Sequence, residues 1–173
     1  MRNPSKTSEK QACFCTHHTL VVSVLHPHFY DPGIQYEPQV DIDAGLLAES
    51  QASQANVKDF AWLMVLDYSG LNTQATDLVT ALPVTPQDNP TSQSLKTGGE
   101  QNVAHLKTLH GTAFDNAYIA HEVTYHERVL KALDTTLIPN AQNAALKALL
   151  VEVRPVVVRH LAHAKRVQAT LAE

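Results

Sequence analysis

Four residues in this chain could do chemistry together: Asp67, Glu122, His126 and His160, with Glu49 as an outlier. Asp67, His126, His160 and Glu49 fall on helical stripes that are otherwise apolar, and Glu122 lies one turn before His126. Acidic side chains are almost never fully buried without a partner. An unpaired buried polar group costs about 1–3 kcal/mol. Two resolutions are open. The residues meet one another in hydrogen bonds that orient the imidazoles and fix helix register, or they share an ion. Imidazole nitrogen with carboxylate oxygen suits a single transition-metal ion, such as zinc. A di-iron centre is not supported. It needs Glu-x-x-His on two helices, so that both side chains reach one ion from one helix face. Here Glu122 and His126 are spaced i, i+4, and His160 and His163 are spaced i, i+3 without a carboxylate.

The elements that must position these residues follow from the punctuation. Glycine and proline cluster outside long runs of good helix formers, so the chain predicts an all-α fold. A short first helix is expected over 41–53, with Ile42, Leu46 and Glu49 on its face. The second is expected over 55–82, its stripe running Val57, Phe60, Met64, Asp67, Leu71, Ala75, Leu78 and Leu82 at the i, i+3, i+4, i+7 spacing. Residues 83–99 read as a long polar crossover loop, followed by a short helix over 100–110. A helix over 112–137, with Thr112 as N-cap, carries Ile119, Val123, His126, Leu130, Leu133 and Leu137. After a turn at Ile138-Pro139-Asn140, a helix over 141–171 carries Leu146, Leu149, Val153, Val157, His160, Ala164, Val167 and Leu171. Pro155 should remove one backbone bond from it. Short links at 54 and 139 make antiparallel neighbours, and an up-down-up-down four-helix bundle results.

Helix rise sets the expected depths. Counted from the turns at 54 and 140, Asp67 and His126 both stand roughly 20 Å up, while Glu122 and His160 stand roughly 27–30 Å up. The expectation is two polar layers, Asp67 with His126 and Glu122 with His160, or one cluster if they merge. Glu49, roughly 8 Å up, should lie apart. Tyr68, Tyr118 and Tyr125 read as packing residues with wet hydroxyls.

Composition narrows the function. The net charge of −4 gives no basic footprint, so nucleic acid is not an expected partner. No apolar run reaches the ~20 residues of a membrane span. Residues 1–39 hold four His, four Pro and both cysteines without a helical period, and read as a weakly ordered tail before a domain over 40–173. No clear signal peptide appears there. Gly-rich phosphate loops, Gly-x-Ser-x-Gly elbows and a nucleophile–base–orienter set are absent from the sequence.

Six blocks carry a family resemblance: VDIDAGLLAES at 40–50, NVKDFAWLMVLDYSGLN at 56–72, VTPQDNPTSQSLK at 84–96, GTAFDNAYIAHEVTYHERVL at 111–130, LIPNAQNAALKALL at 137–150 and VRPVVVRHLAHAKRVQ at 153–168. In order and nearly without gaps, they resemble the bacterial family catalogued as domain of unknown function 4142. The resemblance implies a ferritin-like helical bundle, usually exported to the periplasm or cell envelope and often labelled an outer-membrane or exported protein, and no assigned reaction. Asp67, Phe114, Asp115, His126 and His160 match its pattern. Its members carry Asp-His where this chain has Asp67-Tyr68. If that imidazole helps hold an ion, this chain has lost a ligand, because a phenol with a pKa near 10 is a poor substitute.

Three functions are weighed on this basis. The first is a non-enzymatic helical-bundle protein of the envelope, acting by binding or in stress protection. The second is a metal-binding or redox bundle built on Asp67, Glu122, His126 and His160. The third is an interaction module in which the short first helix leaves an apolar groove for a partner helix or for self-association.

Overall fold

The computed structural model describes residues 38–81 and 90–172. Every regular element among them is helical: α1 (Pro38–Gln51), α2 (Ala55–Ala81), α3 (Pro90–Leu106), α4 (Gly111–Ala132), a π-turn (Leu133–Leu137), α5 (Ile138–Asn140) and α6 (Ala144–Leu171). The all-α expectation holds. Residues 1–37, most of the expected tail with Cys13 and Cys15, and residues 82–89, which include the first part of the expected crossover loop, lie outside the described residues.

α1 packs along α2 and α4 along α6, and the two pairs meet where α2 touches α6 and α1 touches α4. The α1–α2 contact is built on small residues. Ala44, Gly45 and Ala48 are buried on α1, with Ala52 buried just past its end, and Gly45 faces Ala61 and Val65 of α2. A Cβ on Gly45 would lie 2.7 Å from Val65 Cγ2, so the missing side chain is what lets the backbones approach. The expected α1 face is therefore corrected. Leu46 is 49 % exposed and Ile42 only half-buried, because close approach selects the small-residue stripe over the bulky one. The α2, α4 and α6 stripes bury largely as expected, with Phe60, Met64, Ile119, Val157, Ala164 and Val167 in the core.

Three boundaries are corrected. Residues 90–99, read as loop, form the first half of α3. Its Ser, Thr and Gly-Gly content weakens intrinsic propensity, but Pro90 is tolerated in a first turn, and docking of the helix on α1 and α4 outweighs the rest. Thr112 is not an N-cap: His110 precedes α4, and Gly111 takes φ 57° at the junction. The helical backbone also runs past 137 through the π-turn and α5, so the reversal falls at 141–143, where the Asn143 side-chain Oδ1 accepts from the backbone amides of Ala145 and Leu146. α6 passes through Pro155 as one helix, with the proline on its exposed side.

Candidate functional site

The polar residues converge inside the helices. α4 supplies Glu122 and His126, one turn apart and both buried. α6 supplies His160, 1 % exposed, and α2 supplies the adjacent pair Asp67 and Tyr68. The His126 and His160 rings meet edge to face with centroids 5.5 Å apart, and Tyr68 lies edge-on to His160 at 5.6 Å. The two expected layers have merged into one cluster.

The pairing within it differs from expectation. Asp67 does not bond His126. Its Oδ2 accepts from His160 Nε2 at 2.7 Å, because α2 lies along α6 and Asp67 sits at that seam with 30 % of its side chain exposed. His126 instead faces Tyr68, whose hydroxyl lies 2.8 Å from Nε2. Glu122 does not reach His160. It stands beside His126 on its own helix, Oε2 lying 3.5 Å from Nδ1. Glu49 is half-buried on α1 and touches the cluster only as a weak electrostatic influence on Tyr118. The expectation of wet tyrosine hydroxyls is corrected for Tyr68 and Tyr118, both fully buried.

The hydrogen bonds fix the tautomers. His126 Nδ1 lies 2.7 Å from the backbone carbonyl of Glu122, which can only accept, so Nδ1 carries the proton. A neutral imidazole has one N–H, so Nε2 is the acceptor and Tyr68 donates to it. Burial drives the His126 pKa down to about 4, against a partial opposing pull from the Glu122 carbonyl, and the ring is neutral at neutral pH. Burial pushes the Glu122 carboxyl well up, with the nearby Asp41 charge adding to it. The Tyr68 phenol is raised well above its ordinary value by burial first and Glu122 second. His160 is lowered by burial, while Asp67 pulls the other way. Desolvation thus outweighs pairing at Glu122, Tyr68, His126 and His160, and it shifts each of them towards its neutral form.

Asp41 and Tyr125 extend the cluster towards α1. The Tyr125 hydroxyl donates to Asp41, which is buried near the start of α1. Neither residue was singled out from sequence as a site residue. Asp41 lies at the edge of the proline-rich segment, and nothing in its spacing marks it as inward-facing. Asp115 is a further buried carboxylate, two turns before Glu122 on α4. It accepts from the Ser53 amide, the Ser53 hydroxyl and the Gln54 amide, tying the α1–α2 turn to α4.

Among the described residues, Tyr118 Oη, Glu122 Oε2 and His160 Nδ1 are buried without a hydrogen-bond partner. The same residues include no group of three or more His, Cys, Asp or Glu side chains placed to share one ion. His126 Nε2 is engaged by Tyr68, and His160 Nε2 by Asp67.

The fold and its buried cluster define an all-helical domain with a polar core. By comparison with family models, the chain belongs to the family described as Domain of unknown function (DUF4142), whose model matches residues 34–167. No curated protein and no solved structure matches the chain. No helix among the described residues is long and apolar enough to cross a membrane.

Proposed function

We propose that this chain is a non-enzymatic, ferritin-like up-down-up-down bundle of the cell envelope that acts by binding or in stress protection. The observation that carries the non-enzymatic part is the closure of the cluster. His126, Tyr68, Glu122 and His160 are each no more than 1 % exposed, so a substrate has no surface through which to meet them. What the cluster does is hold α2, α4 and α6 in register, through Tyr68 to His126 and Asp67 to His160. Binding then falls to the outer faces, where Trp62 and Leu66 stand 58 % and 53 % exposed one turn apart on α2. The envelope location and the ferritin-like arrangement rest on the family resemblance.

A second reading keeps Asp67, Glu122, His126 and His160 as ligands of a single transition-metal ion. The unpartnered Glu122 Oε2 and His160 Nδ1 favour it, although Tyr68 would have to release His126. Elemental analysis of untagged protein, purified without chelator, separates the two. The first reading expects substoichiometric zinc, iron and copper, unchanged in His126→Ala. Near-stoichiometric metal that is lost in that variant would establish the second. Fractionation of the native host tests location, and recovery of the protein in the cytosol would overturn the envelope assignment.

A further inference from the structure

We propose that Tyr68 is a one-electron oxidation site whose phenolic proton is received by His126. The inference rests on the Tyr68–His126 hydrogen bond and not on the envelope assignment.

A phenol gives up an electron readily only if its proton leaves in the same event, because the phenol radical cation is a very strong acid. The geometry supplies the acceptor. Tyr68 Oη lies 2.8 Å from His126 Nε2, within the reach of direct proton transfer. The Glu122 carbonyl holds the ring's other nitrogen as N–H, so the lone pair is turned to Tyr68 and to nothing else. That carbonyl also stabilises the imidazolium once formed, since the Nδ1–H···O bond is stronger when the ring is charged.

The surroundings suit a persistent radical. Tyr68 is fully buried, and its ring is held against His126 at 6.1 Å and His160 at 5.6 Å. Thiols, water and a second tyrosyl radical have no direct access to its oxygen. An electron path to the outside is also present. Tyr125 lies edge-on to His126 at 5.6 Å and stacks on the half-buried His121 at 6.1 Å.

The step balances with an outer-sphere one-electron oxidant as co-reactant. The oxidant takes one electron from Tyr68, the Oη–H bond breaks, and an Nε2–H bond forms on His126. The products are a neutral tyrosyl radical, an imidazolium and the reduced oxidant. Re-reduction returns the proton to Oη.

The test is flash-quench oxidation of the full chain with a photogenerated ruthenium(III) polypyridyl complex, followed by transient absorption and EPR. Wild type should yield a long-lived neutral tyrosyl radical, formed more slowly in deuterated solvent. Its pulsed EPR spectrum should carry an exchangeable-proton coupling and, in histidine-labelled protein, a nitrogen coupling. Tyr68→Phe, which keeps the ring and removes only the hydroxyl, should lose that species. His126→Gln, which can still accept a hydrogen bond but is not a base, should lower its yield at least about tenfold. A long-lived radical that survives in Tyr68→Phe would overturn the proposal, as would wild-type yield in His126→Gln. The absence of both couplings in wild type does so without any variant.

Discussion

Asp115 and Glu122 are two buried carboxyl groups on the same face of α4, seven residues apart, and they have opposite surroundings. Asp115 looks out at the α1–α2 turn, where two backbone amides and a hydroxyl supply it with donors. Glu122 looks inward at phenols, imidazoles and Asp41, and its Oε2 finds no donor. Burial alone therefore does not decide what a buried acid does; the supply of donors does. At Asp115 the supply makes a joint between helices. At Glu122 burial, with no donor to offset it and Asp41 adding to it, pushes the acid towards its neutral form.

The sharpest break of this contrast is Asp115→Ala. It strands donors at the α1–α2 turn and should cost about 3–4 kcal/mol in urea unfolding. A loss of less than about 1 kcal/mol would show that water replaces the carboxylate. Glu122→Gln should behave in the opposite way, because the amide mimics the neutral acid. The Glu122 pKa is raised on folding, so folding binds a proton there and stability falls as pH rises from the unfolded value near 4.5 towards the folded one. The variant should match wild type near pH 4 and exceed it increasingly at higher pH, as read from denaturation midpoints.

Removing that titration also uncovers the histidine contribution. The His126 pKa falls from 6.5 to about 4 on folding, so the unfolded chain binds a proton first as pH drops. In Glu122→Gln, stability should be full above pH 6.5 and decline by about 3 kcal/mol by pH 4. His160 and His163, also lowered, add to the same limb. A flat profile over that window would contradict the burial of a neutral His126. Tyr68→Phe leaves the buried His126 Nε2 without its donor and should cost about 1–3 kcal/mol. The smallest effect belongs to the surface. Arg154→Ala removes a bidentate pair with Asp134 that is nearly half exposed on both sides, and it should leave the thermal midpoint unchanged within error.

How much of this was legible depends on which dimension of the bundle is asked about. Inwardness was legible: a helical period placed Asp67, His126 and His160 on apolar stripes, and all three turn to the core or its edge. Depth was legible to within a layer, enough to bring the residues together. Lateral pairing was not. Helix rise carries no information on which neighbour stands alongside, and α2 lying along α6 hands Asp67 to His160. The tyrosine beside Asp67 then reaches across to His126, a role that Tyr68 concealed by reading as ordinary packing. Asp115 was legible only through the family pattern, since its partners lie 61 and 62 residues away in a turn. The buried face of α1 does not follow from bulky apolar spacing, because close helix approach favours the small residues Ala44, Gly45 and Ala48.

At the centre of the cluster stands a neutral His126, protonated on Nδ1 and accepting from Tyr68. Nitrogen chemical shifts of the histidine rings, followed from pH 7.5 downwards by long-range proton–nitrogen correlation, read this directly. His126 should show a protonated Nδ1 and a bare Nε2 through pH 6, with no titration until close to pH 4. An imidazolium at pH 6, or a proton resident on Nε2, would contradict it.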